Sequence, residues 1–310
     1  MERFERIFTF INQETEKLEQ SGDITYLEGV LQTLSKVLEG ELQFPVEAAT
    51  KEEVRKAIQL AILKGMRKAS QPNHQMTPDT LGLLLGYFVE QFLEKPLENG
   101  KISILDPALG TGNFLYTIMN MLDGKIEATG IEVDELLIRL AAETAELIEQ
   151  PVQLYHQDAL QPLLVDPCDA VVCDLPVGYY PNEEIAKNFE LSAKEGLSFA
   201  HHLLIEQSVH HTKEGGYLFF LIPSSLFESE QAEQLHKYLK KHVWIQAVIQ
   251  LPEKMFKSKA YEKAIFILQK KSESLKAPRE VLLAKVPNMS NKQALSQFFE
   301  KVQIWKSDNK

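Results

Sequence analysis

Cysteine is almost absent: the 310 residues contain two, Cys168 and Cys173. They do not form a Cys-x-x-Cys pair, which argues against a disulfide framework or a zinc site. No apolar run approaches the ~18 residues needed to span a bilayer. The opening Met1-Glu-Arg-Phe-Glu is charged, not a basic segment followed by an apolar one. The expectation is a soluble, cytoplasmic protein that works without a membrane. Glycine and proline number 15 and 14, ordinary levels that exclude collagen-like or low-complexity segments. There is no internal repeat.

Positive charge is scarce in the middle third. Residues 101–200 carry 5 Lys/Arg against 17 Asp/Glu, a balance of −12, whereas residues 201–310 carry 17 against 11, a balance of +6. An acidic centre repels phosphate backbones and suits a cationic ligand; any nucleic-acid contact belongs on the basic C-terminal third.

With 44% hydrophobic residues, the chain can bury one good core plus an appendage. Residues 2–70 read as helices: Phe4, Ile7, Phe8 and Ile11, then Leu27, Leu31, Leu34 and Leu38, recur at helical spacing. Residues 69–75 read as a linker. Thr77-Pro78 then reads as the N-cap and first turn of a helix reaching about Leu93. From Ile102 the pattern becomes strand–helix alternation. Strands are expected at 102–105, 126–131, 152–155, 169–173, 216–222, 244–249 and 263–269. Helices are expected at 112–121, 134–148, 196–212 and 229–240. Such alternation predicts an α/β doubly wound, mostly parallel sheet. Residues 281–283 could add an edge strand and 290–303 a closing helix. The expected organisation is a helical N-terminal domain (1–70), a main domain (71–275) and a C-terminal extension (276–310).

Four motifs follow expected strands, where open α/β sheets bind ligands. Asp106-Pro-Ala108-Leu-Gly110-Thr-Gly112-Asn113-Phe114 turns from a strand into a helix. Its glycines allow a tight turn and close approach of a ligand. Leu115 stands where a dinucleotide fingerprint wants a third glycine, which counts against NAD or FAD. Glu132, before Val133, can accept hydrogen bonds from vicinal ribose hydroxyls. Asp158, before Ala159, can accept from an adenine amine, and can equally be a turn or helix-capping aspartate. Asp174-Leu175-Pro176-Val-Gly-Tyr179-Tyr offers a carboxylate beside a proline turn. That arrangement can hold a substrate amine in line with an electrophile, or can be a plain βα turn.

These residues resemble class I S-adenosylmethionine-dependent methyltransferases with a Rossmann-like, seven-stranded, mostly parallel sheet. More narrowly, they resemble the N6-adenine DNA methyltransferase family, close to the modification subunit of type I restriction systems. The resemblance covers roughly residues 70–270. It includes Lys213–Phe227 and Leu251–Phe256, followed by Ala264–Leu268, similar to the family's last strands. It implies S-adenosyl-L-methionine as cofactor. Thr77, Asp106, Ala108, Gly110, Gly112, Asn113, Phe114, Glu132, Val133, Asp158 and Ala159 would line its site, with Thr77 and Asp106 at the methionine end. Asp174, Leu175 (through its carbonyl), Pro176 and Tyr179 would form the catalytic group. The tetrapeptide departs from the family's Asn/Asp-Pro-Pro-aromatic: it reads Asp-Leu-Pro-Val, and Val177 cannot stack on a flipped base as an aromatic would. The implied function is methyl transfer to an exocyclic amine, with DNA as partner. The alternatives are an RNA or protein-amide acceptor, or a cofactor-binding module without catalysis. The pattern holds no large insertion that would serve as a target-recognition domain, and the N-terminal helices would cap the cofactor cleft or bind a partner subunit.

Two further features have plain readings. His201-His202 and His210-His211 lie on one expected helix without a carboxylate or Cys at ligand spacing. They read as helix-surface or core-edge histidines, and no metal is expected. Lys237, Lys240, Lys241, Lys254, Lys257, Lys259 and Lys263 surround Trp244, Phe256 and Tyr261. They read first as a solvated face, second as a nucleic-acid strand contact.

Overall fold

A computed structural model describes residues 2–68 and 76–309; the expected linker at 69–75 lies outside the described residues. In chain order the N-terminal helices are α1 (Arg3–Ser21), α2 (Tyr26–Leu38), α3 (Lys51–Lys68), α4 (Asp79–Phe92) and α5 (Glu94–Asn99). Then come β1 (Ile102–Asp106), α6 (Asn113–Met121), β2 (Ile126–Glu132), α7 (Glu135–Leu147), β3 (Val152–His156) and β4 (Cys168–Asp174). They are followed by α8 (Glu183–Ala186), α9 (Ala200–His210), β5 (Thr212–Pro223), α10 (Ala232–His242) and β6 (Val243–Gln250). The chain ends with β7 (Lys263–Lys270), β8 (Leu282–Lys285) and α11 (Lys292–Asp308). All seven expected strands form, and β8 corrects the count to eight. No helix among the described residues is long and apolar enough to cross a membrane.

The chain divides into two compact units. The first contains residues 1–90, 99–101 and 108–158. It unites α1 to α4, apart from the last two residues of α4, with the Gly110 loop, α6, β2, α7 and β3. Thr25 caps α2 in a reciprocal capping box with Glu28, which satisfies donors that would otherwise be orphaned at the helix start. The apolar face of α2 buries Leu27, Val30 and Leu34, alongside Ile7 and Ile11 of α1 and Ile58 and Ile62 of α3. Ser35 of α2 donates to Glu143 of α7 at 2.8 Å. Strands β2 and β3 run parallel, with Glu132 opposite His156. Helix α4 starts at Asp79, not at the expected Thr77-Pro78. The Pro78 carbonyl accepts from Leu81 and Gly82, so Pro78 stands at the helix start.

The second unit contains residues 91–98, 102–107 and 159–310. Here β1 and β4 pair parallel, as do β4 and β5. Strand β7 lies antiparallel to both β5 and β6, and β8 extends β6 in parallel. Leu218–Ile222 of β5 is buried throughout, the continuous apolar run expected of a strand covered on both faces.

Helix α9 is more deeply buried than its sequence suggests. His201 and His202 are 4% and 0% exposed, which corrects the expected surface or edge position. Neither His202 nitrogen has a hydrogen-bond partner. Burial pulls His201 down to about 4 and His202 to about 3, with His201 adding to the effect on His202. Below about pH 6.5, the value of an unfolded imidazole, the unfolded chain therefore binds more protons than the folded one. Stability falls as pH falls through that window. Urea unfolding should show a loss of roughly 3 kcal/mol between pH 7 and pH 5. His202→Leu should remove about half of that pH dependence.

Candidate functional site

The first unit gathers one half of the expected site. Gly110 and Gly112 adopt left-handed φ values of +59° and +79°, which L side chains rarely adopt. A Cβ on Gly112 would run into the Tyr116 ring, whereas one on Gly110 would meet nothing within 4 Å. Gly112 thus lets the helix start pack, and Gly110 faces open space. Tyr116 is itself fixed by its hydroxyl, which donates to the Ala141 carbonyl at 2.8 Å.

Glu132, at the end of β2 and 9% exposed, ties this loop to the strand ends. Its Oε2 accepts from Gly110 N at 2.7 Å, and its Oε1 accepts from Val133 N and Asp134 N at 2.9 Å each. Leu109 N donates to the Ile131 carbonyl and Gln157 N to the Glu132 carbonyl. The His156 ring contacts the Val133 carbonyl at 3.0 Å. Asp134 caps α7 through Leu137 N. Val133 is apolar yet 64% exposed, a side chain left uncovered beside a buried carboxylate. Asp158 is half-buried.

A second network, absent from the sequence reading, supports this loop. Arg55 of α3 is 3% exposed. Its guanidinium donates to both carboxylate oxygens of Asp79 at 3.1 and 2.7 Å, to both of Glu52 at 2.8 Å, and to Asn113 Oδ1 at 2.7 Å. The Asn113 amide donates in turn to the Thr77 carbonyl at 2.9 Å and to Asp79 at 3.0 Å. Burial pulls the guanidinium's pKa down, but the bonds to Glu52 and Asp79 override it and raise it. Burial alone would raise Asp79, and Arg55 instead holds its carboxyl below the usual range. Arg55 shares a helical face with Ile58 and Ile62, so a charged residue on an apolar stripe was the available signal. A cavity of ≈10 Å³ lies beside the network, lined in part by Arg55, Thr111, Asn113 and Tyr116. That is about the room one water occupies.

Other expected residues lie apart from open space. Phe114 is 4% exposed and sits in the core. In the second unit, Ala159 is 6% exposed and its carbonyl is taken by the Gln207 amide at 2.7 Å. Asp106 is 1% exposed at the end of β1, and Ala108 is half-buried in the first unit.

The second unit holds the other motif. Asp174 ends β4, and Leu175 N continues the sheet by donating to the Leu221 carbonyl at 3.1 Å. Leu175 is 1% exposed; Pro176 and Val177 are exposed. Tyr179 is 55% exposed, and its ring stacks on Phe199 with centroids 4.8 Å apart and planes inclined at 16°. The stack is held by a backbone bridge between the same two residues and by Tyr180 N donating to the Ser198 carbonyl. Lys263 donates to Asp174 Oδ1. The expected lysine patch is partly consumed by internal pairing: Lys237 with Glu233, Lys241 with Glu190, and Lys263 with Asp174. Lys254, Lys257 and Lys259 remain exposed in the loop between β6 and β7, near exposed Tyr261. No cluster of metal-ligating side chains occurs among the described residues.

Comparison with known proteins gives the family and the fold. Residues 74–306 match the family model for N-6 DNA methylase, and residues 35–66 match that for the YtxK N-terminal helical domain. The uncharacterised protein YtxK of Bacillus subtilis is 45% identical, over 96% of each chain. A crystal structure from Listeria monocytogenes, provisionally assigned as a class I S-adenosylmethionine-dependent methyltransferase, has a TM-score of 0.91 and 40% identity. It covers 98% of this chain and 99% of that one. The methyltransferase subunit of a type I restriction-modification system from Streptococcus thermophilus shares the fold, with a TM-score of 0.66 at 15% identity. That match spans 99% of this chain and 73% of that one.

Removing the guanidinium would take the counter-charge from Asp79 and the Arg55 donor from Asn113 Oδ1. Arg55→Met should therefore cost about 3 kcal/mol of stability, read as a lower midpoint in urea. An unchanged midpoint would mean that the network does not hold the helices to the loop.

Proposed function

The chain belongs to the N-6 DNA methylase family, and from that premise we propose that its S-adenosylmethionine-dependent methyl transfer is directed to an exocyclic amine nitrogen. One observation supports this reading most: Glu132 pins the Gly110 loop while keeping acceptor capacity. A carboxylate accepts at about four positions, and the three backbone N–H groups leave room for a ribose hydroxyl. The residues present fit the cofactor. Gly110 faces open space in which a Cβ would otherwise intrude, Val133 offers an uncovered apolar surface for a planar base, and Asp158 stands at the next strand end. When bound, S-adenosylmethionine supplies a methyl group activated by a sulfonium, whose positive charge suits the acidic centre of the chain.

The chain's own part is positioning. Gly110 and Glu132 hold the ribose end, with Thr77 and Asp106 assigned to the methionine end. Asp174 accepts a hydrogen bond from the acceptor amine, the Leu175 carbonyl accepts the second, and Pro176 stiffens the turn that carries both. Holding the amine in this way works through proximity, so no general base of strong basicity is needed. Tyr179 serves where Val177 cannot: its ring is exposed on one side and backed by Phe199 on the other. DNA is the proposed partner, met by Lys254, Lys257, Lys259 and Tyr261. The N-terminal helices are proposed as a domain that braces the cofactor loop.

Calorimetric titration with S-adenosylmethionine should give saturable binding to the wild type. Glu132→Ala should bind at least tenfold more weakly, as expected for losing hydrogen bonds to a charged group. Equal titrations, or no heat with wild type, would refute the pocket. Labelled-methyl transfer to DNA, RNA and protein then reads the acceptor: label at adenine N6 in DNA is expected. Label confined to RNA or protein, or binding without transfer, would overturn that assignment.

A further inference from the structure

Lys263 stands where a lysine is costly to hold. It opens β7 immediately before Ala264–Leu268, which is buried throughout. Its backbone is fixed on both sides: it pairs with Pro223 of β5, its carbonyl accepts from Leu251 N at 3.4 Å, and Ser224 N donates to the preceding Glu262 carbonyl at 2.9 Å. Asp174 pairs with Leu221 on the other edge of β5. The lysine side chain therefore crosses the end of β5 to reach the carboxylate. The Lys263 and Asp174 side chains are 22% and 16% exposed, so the pair is largely withdrawn from water. Removing either partner would take the facing charge away from the other.

This pairing changes what the Asp174 carboxylate can receive. Lys263 takes an acceptor position on Oδ1 of a carboxylate that offers about four in all. A cationic amine arriving there would face the lysine ammonium at close range, and like charges repel. An ammonium also carries three donors, and only one is needed for Asp174. An acceptor atom beside the incoming N–H would find a second. Tyr179 presents an exposed, rigidly backed ring in the same unit, which favours a planar aromatic partner over an aliphatic one.

We propose that Lys263 is a specificity-determining residue of the acceptor site: with Asp174 it reads a neutral donor–acceptor edge of a nucleobase, an exocyclic amine next to a ring nitrogen, and rejects aliphatic ammonium groups. The inference rests on the acceptor role proposed for Asp174. Nothing in the acid's own motif calls for a cation beside it; the pairing comes from the start of β7, 89 positions later in the chain.

The test is equilibrium binding, by fluorescence anisotropy with S-adenosylhomocysteine present. The probes are labelled single-stranded oligodeoxynucleotides carrying one adenine, 1-deazaadenine or 7-deazaadenine among thymines. Wild type should bind the adenine strand roughly tenfold more tightly than at least one deaza strand, the scale of a hydrogen bond to a charged group. Lys263→Met should lose that discrimination, and Lys263→Arg, which keeps the cation and its donors, should retain it. Equal affinity of wild type for all three strands would overturn the proposal. So would undiminished discrimination in Lys263→Met, or no binding of any strand. Equal competition by a glutamine-containing peptide would overturn the nucleobase assignment. Methyl transfer to the same strands reads the acceptor role separately. Discrimination without transfer removes the proposed chemistry but keeps the role of Lys263, and transfer without discrimination does the reverse.

Discussion

A buried guanidinium in an N-terminal helix holds the first unit together where α4 and α6 begin. Arg55 reaches Asp79 at the start of α4 and Asn113 at the start of α6, and Asn113 passes the constraint on to the Thr77 carbonyl. A charge at 3% exposure is tolerated only when its donors are satisfied. Five hydrogen bonds to Glu52, Asp79 and Asn113 do so. The consequence is geometric: the N-terminal helices are not an appendage hung before the ligand loop but one of its supports. If Asn113 is fixed, so is the start of α6, and the left-handed turn at Gly112 that precedes it has little freedom left.

Glu132 does the complementary work from the strand side. Its carboxylate gathers N–H groups from Gly110 before it and from Val133 and Asp134 after it. One acid thereby fixes the loop after β1 against the end of β2. Charge-assisted bonds from backbone donors are stronger than neutral ones, and they need no side-chain ordering by the donor. The loop is thus held by Glu132 at Gly110 and by Asn113 just past Gly112, while the Gly110 surface between them stays open. Preorganisation of this kind lowers the ordering cost of binding a ligand.

Much of this was legible in the sequence, and the failures have physical causes. The strand positions followed from apolar runs bounded by turn residues, and the four motifs fell at strand ends as expected. Resemblance to a known family carried the functional assignment further than spacing could. Thr77-Pro78 marked the start of α4 to within two residues, and Asp79, its first residue, is drawn into the Arg55 network. His201 and His202 misled because a helix of low amphipathicity gives no sign of which face is covered. The edge strand β8 is short and half-exposed, yet it forms where residues 281–283 were expected to add one, paired with β6. Arg55 and Lys263 were missed for one reason: each acts through a partner far along the chain, and periodicity reports a residue's own face, not what waits opposite.

The two motifs differ in how their carboxylates are committed, and that difference bears on what each can do. Glu132 is surrounded by neutral backbone donors and accepts from three of them. Asp174 is instead paired with a lysine that shares its partial burial, so the pair is close to neutral as a unit. A neutral pair attracts no free cation, yet it exposes an acceptor and a donor side by side. Recognition at such a pair is directional, because each bond requires its complement at a fixed position, and a group offering only one of the two leaves the other unsatisfied. The altered tetrapeptide then reads differently. Losing an aromatic at Val177 and a proline at Leu175 removes stacking and stiffness from the motif itself. Outside it, Tyr179 is backed by the Phe199 ring and Lys263 is anchored at the start of β7.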